Sequence, residues 1–323
     1  MKKTIRILVV LLILLGAAFL IFRTPDTDRA EMITKYSNES SRFLDDGQGG
    51  KIHYRDEGNR DGPALLLIHG SNSLLQTWEP LVALLGNKYR MISLDLYGHG
   101  LTGPSPTGAY DAETNIASAV KVLDAIGVDK AYWVGNSRGG WIAWRAGLSV
   151  PERTSGLILI DASGAQVEQA GKPYLGARLA QSWLGQLLLP EITPRFLVKS
   201  SLEDSYAQPE RLTEKMVDRY WELLRFPGNR QATLDRGKTD REPEKWNEVG
   251  SLNMPVLVLW GEQDTVIPPS HANAFESRIP GSTLITYADA GHLPMEETPH
   301  QVARDIDAWI QGVTAEASVP NQN

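Results

Sequence analysis

Ser137 stands in GNSRGG, between the apolar runs AYWV and WIAW, with glycines at 135, 139 and 140. Two jobs suit a serine there. Its oxygen can accept from orphan N–H groups in the first turn of the helix that begins at Arg138, which would make it a helix cap. It can instead be a nucleophile lifted on a sharp strand-to-helix turn, where G-x-S-x-G is expected because flanking side chains would collide with neighbouring elements. The pattern alone is weak, but 131–134 reads as a buried strand and 141–146 as a helix, the context such a turn requires.

At neutral pH a serine hydroxyl needs a base to take its proton and a third group to orient that base. Behind a turn of this kind the chain order is serine, acid, histidine. Of six histidines, His53, His69 and His99 precede the serine. His271 follows the best acid by only seven residues, without an intervening strand, and His300, after Pro299, reads as a surface residue at a helix start. His292 remains, in DAGHLP directly after the last strand. The acid is Asp264, in WGEQDTVIP just past the strand PVLVLW, because open α/β sheets gather their chemistry at the carboxyl ends of the strands. Asp161, ending GLILID, is its rival. Glu262 and Glu297 read as solvated surface charges.

An attacked carbonyl also needs donors for its developing oxyanion. The backbone N–H of Arg138 is one, and the loop after LLLIHG supplies the other, at Ser71, with Gly70 letting the backbone turn inward. Asn72 and Trp78 in that loop, and Asn136 beside the serine, are candidate pocket residues, although Trp78 suits plain packing equally well. The Arg138 side chain either attracts a substrate carboxylate or lies along its helix in solvent.

Other chemistries are excluded. The chain has no cysteine, so disulfides, thiolate metal sites and cysteine nucleophiles are ruled out. GHGLTG, after MISLD, matches a dinucleotide-binding glycine pattern, yet Pro104 and Pro106 follow at once and keep it from opening a helix. It reads as an irregular loop tied by Asp95. The histidines form no H-E-x-x-H pair, and no metal or organic cofactor is required. The net charge of −7 shows no basic face, so nucleic acid is not an expected partner; the expected partner is a small-molecule acyl substrate.

The elements that must position these residues alternate along the chain. KIHYRD (51–56) looks like an edge hairpin strand, while 64–69, 91–95, 131–135, 156–161, 255–260 and 283–288 are continuous apolar strands. Helical patterns lie between them, with Ile116, Val120, Leu123 and Ile126 on one face. This is the α/β pattern of a mostly parallel twisted sheet flanked by helices. It gives a core over 40–164 and 251–313, interrupted at 165–250 by a helical lid in which Val217, Tyr220, Trp221 and Leu224 form an apolar stripe. Residues 5–22 read as a transmembrane anchor, because the run between Arg6 and Arg23 is uncharged and nearly long enough to cross about 30 Å of hydrocarbon. A signal segment cleaved near Gly16, Ala17 and Ala18 is the competitor. Lys2, Lys3 and Arg6 keep the N-terminus cytoplasmic, placing the domain on the non-cytoplasmic side, or secreting it after cleavage.

Together LLLIHGSN, DLYGHG, GNSRGG, GEQDTVIP and AGHLPMEETP resemble the α/β-hydrolase fold superfamily over about 43–311. The resemblance implies a lid-bearing serine hydrolase with Ser137, His292 and Asp264 in its triad. Serine at 137 sets it apart from the dehalogenases and epoxide hydrolases, which carry aspartate there. Asn136 and the paired glycines look like the carbon–carbon hydrolases of ring-fission diketones, whose tryptophan after the histidine is Leu293 here. A carboxylic-ester hydrolase is the default, and a non-catalytic binding module is the contrasting class.

Overall fold

The computed structural model describes residues 2–167, 175–239 and 242–318. Its strands are β1 (Ser41–Asp45), β2 (Lys51–Gly58), β3 (Ala64–Ile68), β4 (Arg90–Leu94), β5 (Ala131–Asn136), β6 (Thr154–Ile160), β7 (Val256–Gly261) and β8 (Thr283–Tyr287). They form one eight-stranded sheet in the order β1-β2-β4-β3-β5-β6-β7-β8. The β1–β2 and β2–β4 pairs are antiparallel, and every later pair is parallel.

Every strand expected from the apolar runs is present. β1 is additional, since SRFLD is short and only partly buried and carries no clear strand pattern. Its pairing with β2 makes KIHYRD an inner strand rather than an edge.

The central strands are apolar throughout because both faces of the sheet are covered. Alternation of side chains sends Leu65 and Leu67 into one core and Leu66 and Ile68 into the other, all four fully buried.

Helices α1 (Lys2–Phe22) and α2 (Arg29–Tyr36) precede the sheet; α3 (Glu79–Leu85), α4 (Ala112–Ala125) and α5 (Arg138–Ser149) follow β3, β4 and β5. Asp111 starts α4 by accepting the Thr114 N–H at 2.7 Å. Ile116 and Leu123 of its stripe are buried, with Val120 and Ile126 packed on the same core.

Between β6 and β7 lies a helical insert of α6 (Leu175–Ala180), α7 (Trp183–Leu188), α8 (Arg195–Ser205), α9 (Glu214–Leu224) and α10 (Asn229–Arg236). α11 (Ser270–Arg278), α12 (Pro294–Glu297) and α13 (Pro299–Ser318) complete the chain. The insert is joined to the rest by a third apolar cluster, in which Met32 of α2 and Leu74 and Leu101 of the core loops meet Leu202, Val217, Tyr220 and Leu223.

The expected spanning segment is not found: among the described residues no helix is long and apolar enough to cross a membrane. The helix α1 is 21 residues long, but Lys2, Lys3 and Arg6 occupy its beginning. The uncharged remainder, 7–22, extends about 24 Å at ~1.5 Å per residue, short of a ~30 Å hydrocarbon core.

Candidate active site

Strand β5 delivers Ser137 into the turn before α5 with φ 54° and ψ −117°. A non-glycine residue held there is strained, and the surrounding backbone enforces it. The Ser137 N–H donates to Ile160 O at 3.0 Å, while Ser137 O accepts from the N–H groups of Trp141 and Ser163 at 3.1 and 2.9 Å. The side chain makes no capping bond to its helix, which removes the cap reading.

The glycines are required by contact. A Cβ at Gly135 would lie 2.2 Å from Gly139 O, and one at Gly139 would lie 2.0 Å from Ile68 O. Gly70 lets its loop close on the serine, since a Cβ there would stand 3.0 Å from Ser137 Cβ.

His292 follows β8 and presents Nδ1 to Asp264 Oδ2 at 2.7 Å, with both residues buried. Asp264 is held in turn, its Oδ1 accepting from the Val266 and Ile267 N–H groups at 2.7 and 2.9 Å. With Oδ2 accepting at Nδ1, the proton sits on Nδ1 and Nε2 keeps its lone pair. Ser137 and His292 line one cavity of about 470 Å³ together with Gly70, Ser71, Asn72, Asn136 and Arg138.

Asp161 does not compete for the histidine. Its backbone has φ 43°, its Oδ1 accepts from Gly261 N–H at 3.0 Å, and its carboxyl faces Asp264. Burial, and then the neighbouring Asp264 charge, push it well above the usual carboxylate range. Asp161, Asp264 and His292 offer ligand atoms within 4.8 Å of one another, the spacing of a metal site. Both Asp264 oxygens, Asp161 Oδ1 and His292 Nδ1 are engaged in hydrogen bonds.

The loop after β3 is shaped by buried histidines. His69 Nδ1–H donates to Gly70 O at 2.8 Å and its Nε2 accepts from Leu96 N–H at 3.1 Å. His99 Nδ1–H donates to Tyr97 O, leaving Nε2 to accept from Asn72 N–H at 3.2 Å, and burial holds this imidazole neutral. Asn72 has φ 58°, and its Oδ1 accepts from Arg236 Nη2 of α10 at 3.0 Å. Asp95 ties the GHGLTG loop by accepting from the Leu75 and Leu101 N–H groups, both at 2.9 Å, and from His53 at 2.7 Å.

Three expectations are corrected. Trp78 is fully buried in the core under α3 and does not line the cavity. The Arg138 side chain does not run out into solvent: it is 3% exposed, donates to Tyr110 O and lies 5.1 Å from the Trp141 ring. Glu297 is fully buried, its carboxylate accepting from Ala207, Gln208 and Gly291 N–H groups at 2.8, 3.2 and 2.7 Å. Its pKa is raised by burial against those donors. Glu297 thereby ties the histidine loop to the insert, helped by His292 N–H donating to Ser205 O at 2.8 Å. Asn136 acts on the same loop, donating from Nδ2 to His292 O at 3.0 Å. No motif marks Glu297; the available signal is a glutamate amid buried Pro294 and Met295.

The model of the Alpha/beta hydrolase family matches residues 65–305. A Bacillus subtilis protein named uncharacterized hydrolase YugF is 27% identical over 281 residues, covering 84% of this chain and 97% of that protein. The pimeloyl-[acyl-carrier protein] methyl ester esterase of Aliivibrio salmonicida is 26% identical over 263 residues, covering 80% and 96%. A crystal structure of a membrane phospholipase A, described as a bacterial virulence factor, superposes with a TM-score of 0.74 at 23% identity, covering 97% of this chain and 99% of that one. With three quarters of its length matched, and with the sheet order and elbow described above, this chain belongs to the alpha/beta hydrolase family and is a hydrolase of that fold.

Proposed function

We propose that the chain is a serine hydrolase of carboxylic esters. The observation that carries the reading is the 2.7 Å bond from His292 Nδ1 to Asp264, with Nε2 left basic on the cavity that Ser137 enters from a strained turn. Ser137 Oγ attacks the ester carbonyl while His292 Nε2 takes its proton. The N–H groups of Ser71 and Arg138 receive the oxyanion, and Asp264 stabilises the imidazolium. Collapse breaks the acyl C–O bond as His292 returns the proton to the leaving alcohol, and water then resolves the acyl-enzyme by the reverse proton route. The insert acts as a lid, its apolar side chains forming the far wall of the cavity.

A relative named as a methyl ester esterase supports the ester class. The carbon–carbon alternative rests on Asn136 with Gly139 and Gly140; the Asn136 Nδ2 donates to Ile160 O and His292 O, and the glycines are required by backbone contact. We also place the domain outside the cytoplasm, on the cleavable-signal reading of 5–22, which exports the rest of the chain; protection from external protease in spheroplasts would reverse this. The chemistry is tested with a fluorophosphonate probe and a short p-nitrophenyl ester. Labelling and turnover should vanish in Ser137→Ala; equal labelling of both chains, or of neither, sinks the assignment and favours a binding module.

A further inference from the structure

The turn after α7 and helix α8 put apolar side chains towards the cavity, while α7 and the start of α8 put others outside. Inward, Leu189, Leu197, Val198 and Leu202 line the cavity. Outward, Trp183, Leu184, Leu187 and Phe196 are 77%, 47%, 64% and 64% exposed. Large apolar side chains left exposed in this way mark an interaction site.

What covers that face is indicated by the segment fixed beside it. Helix α1 also leaves large apolar side chains exposed, among them Leu20, Ile21 and Phe22 at 73%, 75% and 63%. Its end is bolted to the insert just past α7. Thr24 N–H donates to Glu191 O at 2.8 Å, Arg23 Nε to Glu191 Oε2 at 2.7 Å, and Thr193 N–H to Thr24 Oγ1 at 2.7 Å. Arg230, buried behind this junction, bonds Thr24 O and Asp26 Oδ1, both at 2.6 Å. No flexible spacer separates the two apolar surfaces. Lys2, Lys3 and Arg6 put cations at the far end of α1, in a chain whose net charge is −7. Basic residues beside an apolar run suit anionic headgroups, and an exposed indole such as Trp183 suits the membrane interface.

We propose that α1 and the outer face of α7 and α8 dock as one surface on an anionic phospholipid bilayer, and that the cavity behind that face takes an acyl chain of an ester lipid from it. Docking needs no complete crossing by α1. The substrate part of this inference rests on the ester-hydrolase reading.

The test compares the full chain with Trp183→Ser/Leu187→Ser/Phe196→Ser, which alters no cavity residue. Three quantities are read: flotation with phosphatidylcholine vesicles with and without phosphatidylglycerol, fatty-acid release from those vesicles, and hydrolysis of soluble p-nitrophenyl butyrate. The variant should keep the soluble-ester rate within about twofold while flotation weakens and vesicle hydrolysis falls at least about tenfold, three anchoring side chains having been removed. Loss of both rates alike, or of neither, overturns the proposal. So does a drop in particle mass with flotation unchanged, which would make a second copy the occupant. If Ser137→Ala matches the parent on the soluble ester, the hydrolase reading fails, while flotation still decides the docking.

Discussion

The carboxyl of Asp161 is fully buried against that of Asp264, the residue that holds His292 Nδ1 at 2.7 Å. Two buried carboxyls so placed cannot both ionise cheaply, and Asp161, with one backbone donor against the two N–H groups and the imidazole at Asp264, keeps its proton. Asp161 therefore serves Asp264 as a neutral neighbour. Asparagine can reproduce that state, accepting from Gly261 and offering an N–H to Asp264. Asp161→Asn should stay within roughly threefold of the parent in kcat/KM, whereas Asp264→Asn should lose about 10³–10⁴, the histidine being in the wrong tautomer. Side-by-side kinetics on a short ester decide it, and a larger loss at Asp161 would move the acid there.

The same burial makes stability depend on pH. A carboxyl whose folded pKa is raised is protonated when folded and ionised when unfolded, so its contribution is full below the ordinary Asp range, near pH 4, and declines as pH rises towards the folded value. Asp161 and Glu297 are both raised and act in the same direction. Melting temperatures recorded from pH 4 to 8 should fall less steeply in Asp161→Asn than in the parent, the variant gaining most at the alkaline end. Parallel curves would show that Asp161 ionises freely.

Gly139→Ala places a methyl 2.0 Å from Ile68 O, against backbone that cannot swing away. A cost of at least about 2 kcal/mol is expected, with loss of esterase activity as the elbow shifts. Urea unfolding measures the first quantity, and Ser137→Ala, which should unfold near the parent midpoint, separates elbow strain from loss of the nucleophile.

Glu297→Ala would leave the part-buried N–H groups of Ala207 and Gln208 and the buried one of Gly291 without their acceptor. About 2–4 kcal/mol of stability should go with it. Because Gly291 precedes His292, kcat should fall more than the soluble-ester KM rises. An unchanged kcat in folded protein would show that the histidine loop does not rely on this anchor.

The features legible in the sequence are those that obey local rules. Strand β5, the glycines at 135 and 139, and the order of Ser137, Asp264 and His292 depend on period, punctuation and chain order. The charge states of Asp161 and Glu297 are not legible, because they are set by groups distant in sequence, such as Ala207 and Asp264, that the fold brings to them. Trp78 and Arg138 mislead for the same reason: an indole in an active-site loop and an arginine at a helix start carry no local mark of the direction in which they are packed. The strand β1 hides in a polar stretch, and only its pairing with KIHYRD reveals it.

The insertion of α6 to α10 between β6 and β7 also sets the order in which the enzyme can come into being. A growing chain exposes the serine strand early, but β7 and β8, whose ends carry the acid and the base, emerge only after the whole insert has been made. Under the triad proposed above, half-finished chains, stalled or cut before β7, carry a serine with no partner to activate it, and reactivity begins only once β8 and the loop after it have been made.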